Sequence, residues 1–250
     1  MNRCQVFRIA ALASSLAVST ILAADNALTV TEKEQGWRLL FDGQTTTGWR
    51  GFQKEAFPTN GWTVTDGCLK CLGRKGGDIV TSEKFNDFEL TWEWKLSPKG
   101  NSGVKYFVDE KRRDAVDAKR PDAVGKVSTF AVAHEYQMID DNHYPEKLAD
   151  NQKTGAWYGV MPPKDAKPKP VGEFNQSRLV VRGNHVEHWL NGTLVLAYDT
   201  DSAASRAGIA ASKFKNVPGY ADKIATPILL QDHSTIVWFR NIKLRPLPNQ

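Results

Sequence analysis

The chain has 250 residues, 41% hydrophobic and 10% aromatic, which is enough apolar material for a sizeable core and excludes a disordered or fibrous chain. Its 33 Lys and Arg against 28 Asp and Glu give a formal charge of +5, a balance that argues against a nucleic-acid partner.

Arg3 and Arg8 precede an uncharged apolar run from Ile9 to Ala23. This pattern predicts a secretory signal peptide over residues 1–24 and a single domain over residues 25–250, exported to the periplasm or the medium. Losing Arg3 and Arg8 lowers the formal charge from +5 to +3. No later segment offers the roughly 20 apolar residues of a spanning helix, so no membrane span is expected in the mature chain. The one basic cluster, Lys164 to Pro170, lacks interleaved aromatics and reads as a solvated loop.

Residues 36–43 read as a strand running into an Asp42-Gly43 turn, followed by Gly48 and Trp49. Trp49 and Trp62 are predicted core residues because of the apolar area they bury. From Trp62 to Cys71 the Asp66-Gly67 pair predicts a hairpin that sets Thr65 opposite Cys68 and Trp62 opposite Cys71. Cys68 and Cys71 then point to opposite sheet faces. They read as packing thiols, not as a redox pair or half a zinc site.

In Phe88 to Leu96, residues Phe88, Leu90, Trp92, Trp94 and Leu96 share one face, and Glu89, Thr91, Glu93 and Lys95 the other. After a turn signal at Gly100 to Gly103, Val104, Tyr106 and Val108 are expected in the core, with Lys105 and Phe107 on the opposite face. Residues 109–128 are charged and aperiodic and read as an exposed loop. Residues 134–142 (HEYQMIDDN) form a strand with Tyr136 and Met138 on one face and Glu135, Gln137 and Ile139 on the other. His134 falls on the core side. Residues 143–173 form a second long loop, of the kind that often binds ligands.

Two tight hairpins follow, turning at Gly183-Asn184 and Asn191-Gly192. They place Leu179, Val181, Val186, His188, Leu190 and Val195 on a core face, and Arg182, His185, Glu187 and Trp189 on the other. The chain closes with Pro227 to His233 and Ile236 to Leu244, where Gln231 and His233 share a face and a bulge at Asn241 brings Arg240 to the same side. Recurring strands without helical periodicity predict an all-β sandwich of two antiparallel sheets.

Read together, the polar faces predict one cleft containing Glu93, Lys95, Lys105, Glu135, Gln137, Glu187, Trp189, Gln231 and His233. Carboxylates and amides beside an indole ring suit a sugar, whose hydroxyls need donors and acceptors and whose CH face stacks on an aromatic ring. The chain lacks G-x-S-x-G, P-loop and G-x-G-x-x-G patterns, and HEYQM departs from H-E-x-x-H at its last position.

Glu135, Gln137 and Asp140 resemble the H/E-x-Q-x-x-D signature of the 3-keto-disaccharide hydrolase family. LFDG at 40–43, NSG at 101–103, TGAWYGVMPP at 154–163, VVRGNHVEHWLNG at 180–192 and LQDH at 230–233 are similar to further family motifs in the same order, with Ser234 in place of a family glycine. The resemblance covers about residues 36–245. It implies a jelly-roll sandwich of the concanavalin A-like lectin/glucanase type. It also implies a carbohydrate substrate, supplied by a separate sugar-oxidising enzyme that makes a C3 ketone. That ketone acidifies the C2 proton, so the C1 bond can break by elimination, and water added to the enone completes net hydrolysis.

Such a reaction needs a base at C2, a cation or donor at the C3 oxyanion and an acid at the leaving oxygen. Glu135 and His233 are cast as the base and the acid in either order, Lys105 with Gln137 at the enolate, and Trp189 as the sugar platform. Glu187, Gln231 and Arg240 line the cleft. Asp140, His143 and His188 are secondary candidates, although the apolar company of His188 favours a core histidine. No cofactor is expected; a metal through Asp140, Asp141 or Asp232 stays open, because three scattered acids do not define a site. The alternatives are a two-carboxylate glycosidase using Glu135 and Glu187 and a lectin-like binding module.

Overall fold

Five alternate apolar side chains in Phe88–Leu96 (β6) are buried, while Thr91, Glu93 and Lys95 between them are not, so this long strand has one side against a core. The computed structural model describes residues 25–112, 126–128 and 130–248. The expected signal peptide and most of the charged loop between residues 109 and 128 lie outside the described residues.

The other strands are Arg38–Leu39 (β1), Trp49–Gly51 (β2), Trp62–Thr65 (β3), Cys68–Leu72 (β4), Ile79–Thr81 (β5), Asn101–Tyr106 (β7), His134–Ile139 (β8), Asn175–Arg182 (β9), His185–Leu190 (β10), Thr193–Asp199 (β11), Leu229–Leu230 (β12) and Ile236–Pro246 (β13). They build two antiparallel sheets. The larger runs β11-β10-β9-β6-β13-β4-β3, with β1 also paired to β13, and the smaller runs β2-β5-β12-β7-β8. The predicted two-sheet sandwich is the observed architecture.

Local turn chemistry accounts for the hairpins. Asp66 and Gly67 both take positive φ (50° and 67°), as do Asn191 and Gly192 (49° and 82°), the backbone a type I′ turn requires. Trp62 pairs with Cys71 and Thr65 with Cys68, the register expected. Both cysteines are buried and free, and burial pushes the Cys71 thiol up to about 12. Two short helices were not legible in the sequence. Val30–Glu34 (α1) starts with a capping box at Thr29, and Ala203–Ala211 (α2) starts where Ser202 accepts from the Ser205 amide.

The facing sides of the sheets meet in an aromatic core. The Trp92 and Tyr136 rings pack edge-on at 5.0 Å, and Ser177 Oγ donates to Tyr136 Oη across the layers at 3.0 Å. His134 and His188 lie in this core. His188 Nδ1–H donates to Gly155 O (2.9 Å) and His134 Nε2–H to Tyr220 O (2.9 Å), because a carbonyl can only accept. Their remaining nitrogens therefore accept from Tyr106 Oη (2.6 Å) and Tyr198 Oη (2.9 Å). Burial pulls His134 down to about 3 and His188 down to about 4, so both rings are neutral at pH 7. This assigns His188 to the core and removes it from the substrate-binding candidates.

Phe107 corrects the predicted alternation after β7. Its φ of +55° ends the strand, and its ring packs in the core against Tyr106 and His134 at 5.1 and 5.0 Å. Val108 instead joins a small apolar cluster with Phe52, Val80, Ala131, Ala133 and Leu229. Val80 and Leu229 are register partners whose neighbours Ile79 and Leu230 belong to the main core, so this cluster covers the outer face of the smaller sheet.

Candidate active site

Two registers fix what the outer face of the smaller sheet presents. Val80, Leu229, Lys105 and Glu135 form one row across β5, β12, β7 and β8. In the next outward row Gly103 pairs with Gln137, and the Gln231 amide donates to Gly103 O at 3.0 Å. Asp78, two residues before Val80, ends this row.

Lys105 Nζ and Glu135 Oε2 lie 3.5 Å apart with both side chains almost fully buried. Lys105 Nζ also donates to Ala131 O at 3.0 Å. Gln231 bridges the pair, its amide nitrogen 3.3 Å from Glu135 Oε1 and its oxygen 3.2 Å from Lys105 Nζ, the orientation that satisfies both partners. Beneath them Gly103, having no side chain, leaves room that the Glu135 carboxyl group fills. A Cβ there would collide with the Glu135 carboxyl group, so the glycine is a condition of the Glu135 position.

Gln137 is 1% exposed, and its Oε1 accepts no hydrogen bond among the described residues. Leaving such an acceptor unpaired costs about 1–3 kcal/mol, which a ligand donor could recover. The segment Gly155 to Tyr158 runs along the edge of β8: Gly155 N donates to Gln137 O (2.9 Å) and Tyr158 N to Glu135 O (3.1 Å). Tyr158 is thereby set beside the pair, with Lys213 Nζ 4.5 Å from its ring centroid.

The electrostatics favour proton exchange. Burial pushes the Glu135 carboxyl above its ordinary value, with Lys105 and Lys213 opposing and Asp78 adding to the rise. Burial works against the Lys105 charge, but Glu135 and Asp78 outweigh it and hold the ammonium protonated. Burial also raises Asp78, against the pull of Lys105. A carboxylate raised towards neutrality beside a fixed cation suits general-base chemistry with a developing oxyanion nearby.

The structure unites Lys105, Glu135, Gln137 and Gln231, with exposed His233 two residues beyond Gln231. It separates them from the rest of the predicted cleft. Glu93, Lys95, Glu187, Trp189 and Arg240 belong to strands of the larger sheet and face outward from it, on the opposite side of the sandwich. Trp189 Nε1 donates to Glu187 Oε2 at 2.7 Å and its ring carries Arg178 at 4.8 Å. Arg240 pairs with Glu93 (2.8 Å) and Asp25 (2.5 Å). The bulge at Asn241 forms as expected, but it presents Arg240 to that far face. Trp189 therefore cannot be the platform for a sugar over Glu135, and Glu135 with Glu187 cannot flank one anomeric carbon.

Asp140 and His143 lie beyond the end of β8. Asp140 accepts from the Lys99 and His143 amides (2.9 and 3.1 Å) and sits 3.2 Å from His143 Nδ1, so it fastens a turn. Both line a cavity of about 220 Å³ at the end of the sandwich, away from the Lys105–Glu135 pair. Among the described residues no group of three His, Cys, Asp or Glu side chains could hold a metal ion. Asp78, Tyr158 and Lys213 are not among the predicted site residues. Tyr158 lay within a segment read as a binding loop, but nothing in the local pattern pointed to the other two.

Residues 36–245 match the family described as the 3-keto-alpha-glucoside-1,2-lyase-like domain. A 3-keto-disaccharide hydrolase of Bacteroides thetaiotaomicron is 33% identical over an alignment covering 94% of this chain and 87% of that protein. A crystal structure from Parabacteroides distasonis, described as a glycosyl hydrolase, has a TM-score of 0.78 and 34% identity, covering 90% of this chain and 100% of that one. A second from the same organism, described in the same terms, has a TM-score of 0.56 and 25% identity, covering 80% and 99%.

Proposed function

Because the chain belongs to the 3-keto-alpha-glucoside-1,2-lyase-like family and is a hydrolytic glycosidic enzyme, we propose that it cleaves 3-keto-glycosides by elimination at the outer face of its smaller sheet. The observation that carries this reading is the buried Lys105–Glu135 pair packed over Gly103, beside the unpaired Gln137 oxygen. Glu135 takes the C2 proton, whose acidity the C3 ketone supplies. Lys105 Nζ faces the enolate oxygen as charge grows there, and the Gln137 and Gln231 amides orient the sugar hydroxyls. Tyr158 takes over the platform role first given to Trp189. Loss of the C1 substituent leaves an enone, and addition of water completes hydrolysis.

The substrate carries an oxidised C3, so a separate sugar-oxidising enzyme supplies it. Export belongs to the same reading, supported by Arg3, Arg8 and the uncharged run that follows them. Sequencing the N terminus of protein recovered from periplasm or medium is expected to start near Asp25; an intact Met1 in that fraction would contradict cleavage.

The deciding assay pairs a native disaccharide with its 3-keto form in deuterated water. Cleavage of the keto form alone, with deuterium at C2, is expected. Equal cleavage of the unoxidised sugar would refute elimination.

A further inference from the structure

The elimination needs a second group that gives a proton to the departing oxygen, the role that the sequence offers to Glu135 or the exposed His233. We infer that Asp78 is that acid, standing across Gly103 from Gln137 and Glu135. The inference rests on the elimination reading and adds a residue to it.

Asp78 precedes Ile79, a core residue, so alternation turns its side chain to the outer face with Lys105 and Glu135. The strand order puts β12 between β5 and β7, so Asp78 stands about two strand spacings, roughly 10 Å, from Gly103. Glu135 leans over Gly103 from the other side. Gln231 stands between Asp78 and Gly103 in the same row, so a sugar seated over Gln231 would have a carboxyl group at each flank.

Asp78 is held through both its backbone and its side chain. Its carbonyl accepts from the Phe52 amide at 2.8 Å, and its Oδ1 accepts from the Asp232 amide at 2.9 Å. Among the described residues Oδ2 has no hydrogen bond, which leaves it available to a ligand. Asp232 is already engaged: Oδ2 accepts from Gly77 N (3.1 Å) and Oδ1 from Ser234 N (2.9 Å). His233 is exposed, and its imidazole makes no hydrogen bond among the described residues. Asp78 is the acid that the fold holds in place.

The two carboxyl groups differ in the way their roles require. Glu135 touches the Lys105 ammonium directly and so has a counter-charge when ionised. Burial raises Asp78 as it raises Glu135, and Lys105 pulls both down, but Asp78 makes no direct ion pair with that ammonium and has the Asp232 carboxylate beside it.

The step balances. Glu135 takes the C2 proton, the C2–H electrons move towards C1 and C3, the C1–O bond breaks and Asp78 gives its proton to the leaving oxygen. In the second half Asp78 carboxylate takes a proton from water as its oxygen adds to C1, and Glu135 returns its proton to C2. Both residues end as they began.

Leaving-group dependence tests this assignment. An alcohol leaving group needs a proton, whereas 4-nitrophenolate leaves without one. In Asp78→Asn, kcat/KM is expected to fall at least about 100-fold on a 3-keto-disaccharide and much less on 4-nitrophenyl 3-keto-glucoside. The measured quantity is the ratio of the two rates, which partial unfolding does not move. The same ratio measured in Asp78→Ala checks the Asn result. A ratio unchanged from wild type in both variants would overturn the role of Asp78. If wild-type protein cleaves native and keto substrates alike, the elimination reading fails instead, so the two failures are distinguishable.

Discussion

Lys105 and Glu135 are register partners on β7 and β8, and their side chains meet at 3.5 Å on the outer face of the smaller sheet. Direct cross-strand pairing fixes the distance between base and cation through two backbones, so neither depends on a loop for its place. Glu135→Gln is expected to lower turnover of a 3-keto-disaccharide by ~10²–10⁴, the usual loss for a general base, and to lower stability as well, because the buried Lys105 ammonium loses its direct counter-charge. Lys105→Ala is expected to lose activity and also about 3–5 kcal/mol of stability, because it strands a buried carboxylate. Activity assays beside urea titrations of both variants separate the two effects.

The raised Glu135 carboxyl predicts the acid limb of the rate profile. A base must be ionised to act, so kcat/KM falls as pH drops through a value above the ordinary carboxylate range. The groups facing it are Lys105, Lys213 and Asp78. Removing the opposing charge with Lys213→Met raises the carboxyl further. The limb is then expected to move to higher pH, and a shift the other way would contradict the assignment of this limb to Glu135.

Gly103→Ala is a test of geometry without chemistry. The added methyl group would occupy the place of the Glu135 carboxyl. Turnover is expected to fall at least ~100-fold, since small misplacements of a reacting group cost that much. Wild-type activity in this variant would mean that Glu135 does not work from the observed position.

Trp189→Ala and Glu187→Gln alter the opposite outer face. Both are expected to keep kcat/KM on the keto substrate within about threefold of wild type; an interaction this far from the chemistry has no route to ten times that effect. A loss like that of Glu135→Gln would contradict the separation of the two faces.

The buried His–Tyr network predicts how the fold responds to acid. His134 and His188 are held neutral, at about 3 and about 4, whereas in the unfolded chain each takes a proton near 6.5. The unfolded state therefore binds more protons between those limits, and stability falls as pH drops below 6.5 towards 4. One effect opposes this. Five contacts share four hydrogens in the neutral network, so the Tyr106–Tyr198 approach at 2.7 Å lacks a proton that an imidazolium would supply. A completed hydrogen bond is worth about 1–3 kcal/mol and burying the charge costs several, so burial wins. Replacing either histidine with Gln is expected to lower stability at pH 7 and to flatten its loss in acid, as read by denaturant titration across pH 4 to 7.

The sequence by itself determined the longer strands, their tight turns and which side of those strands is apolar. The 88–96 alternation, the Asp66-Gly67 and Asn191-Gly192 hairpins and the pairing of Glu135 with Gln137 on one face all follow from a period of two and from local backbone preference. These are short-range facts. Phe107 marks their limit, because one residue at positive φ reverses the parity that alternation assigns to everything after it. Asp78 marks another: it introduces a three-residue strand too short to show a period. What only the tertiary structure decided was which outer face each polar side joined. A sandwich has two such faces, and residues pointing away from the core look alike in sequence on both. The long-range pairings of β6 with β9 and β13, and of β7 with β8 and β12, sent Trp189 and Glu187 to one side and Lys105, Glu135 and Gln231 to the other.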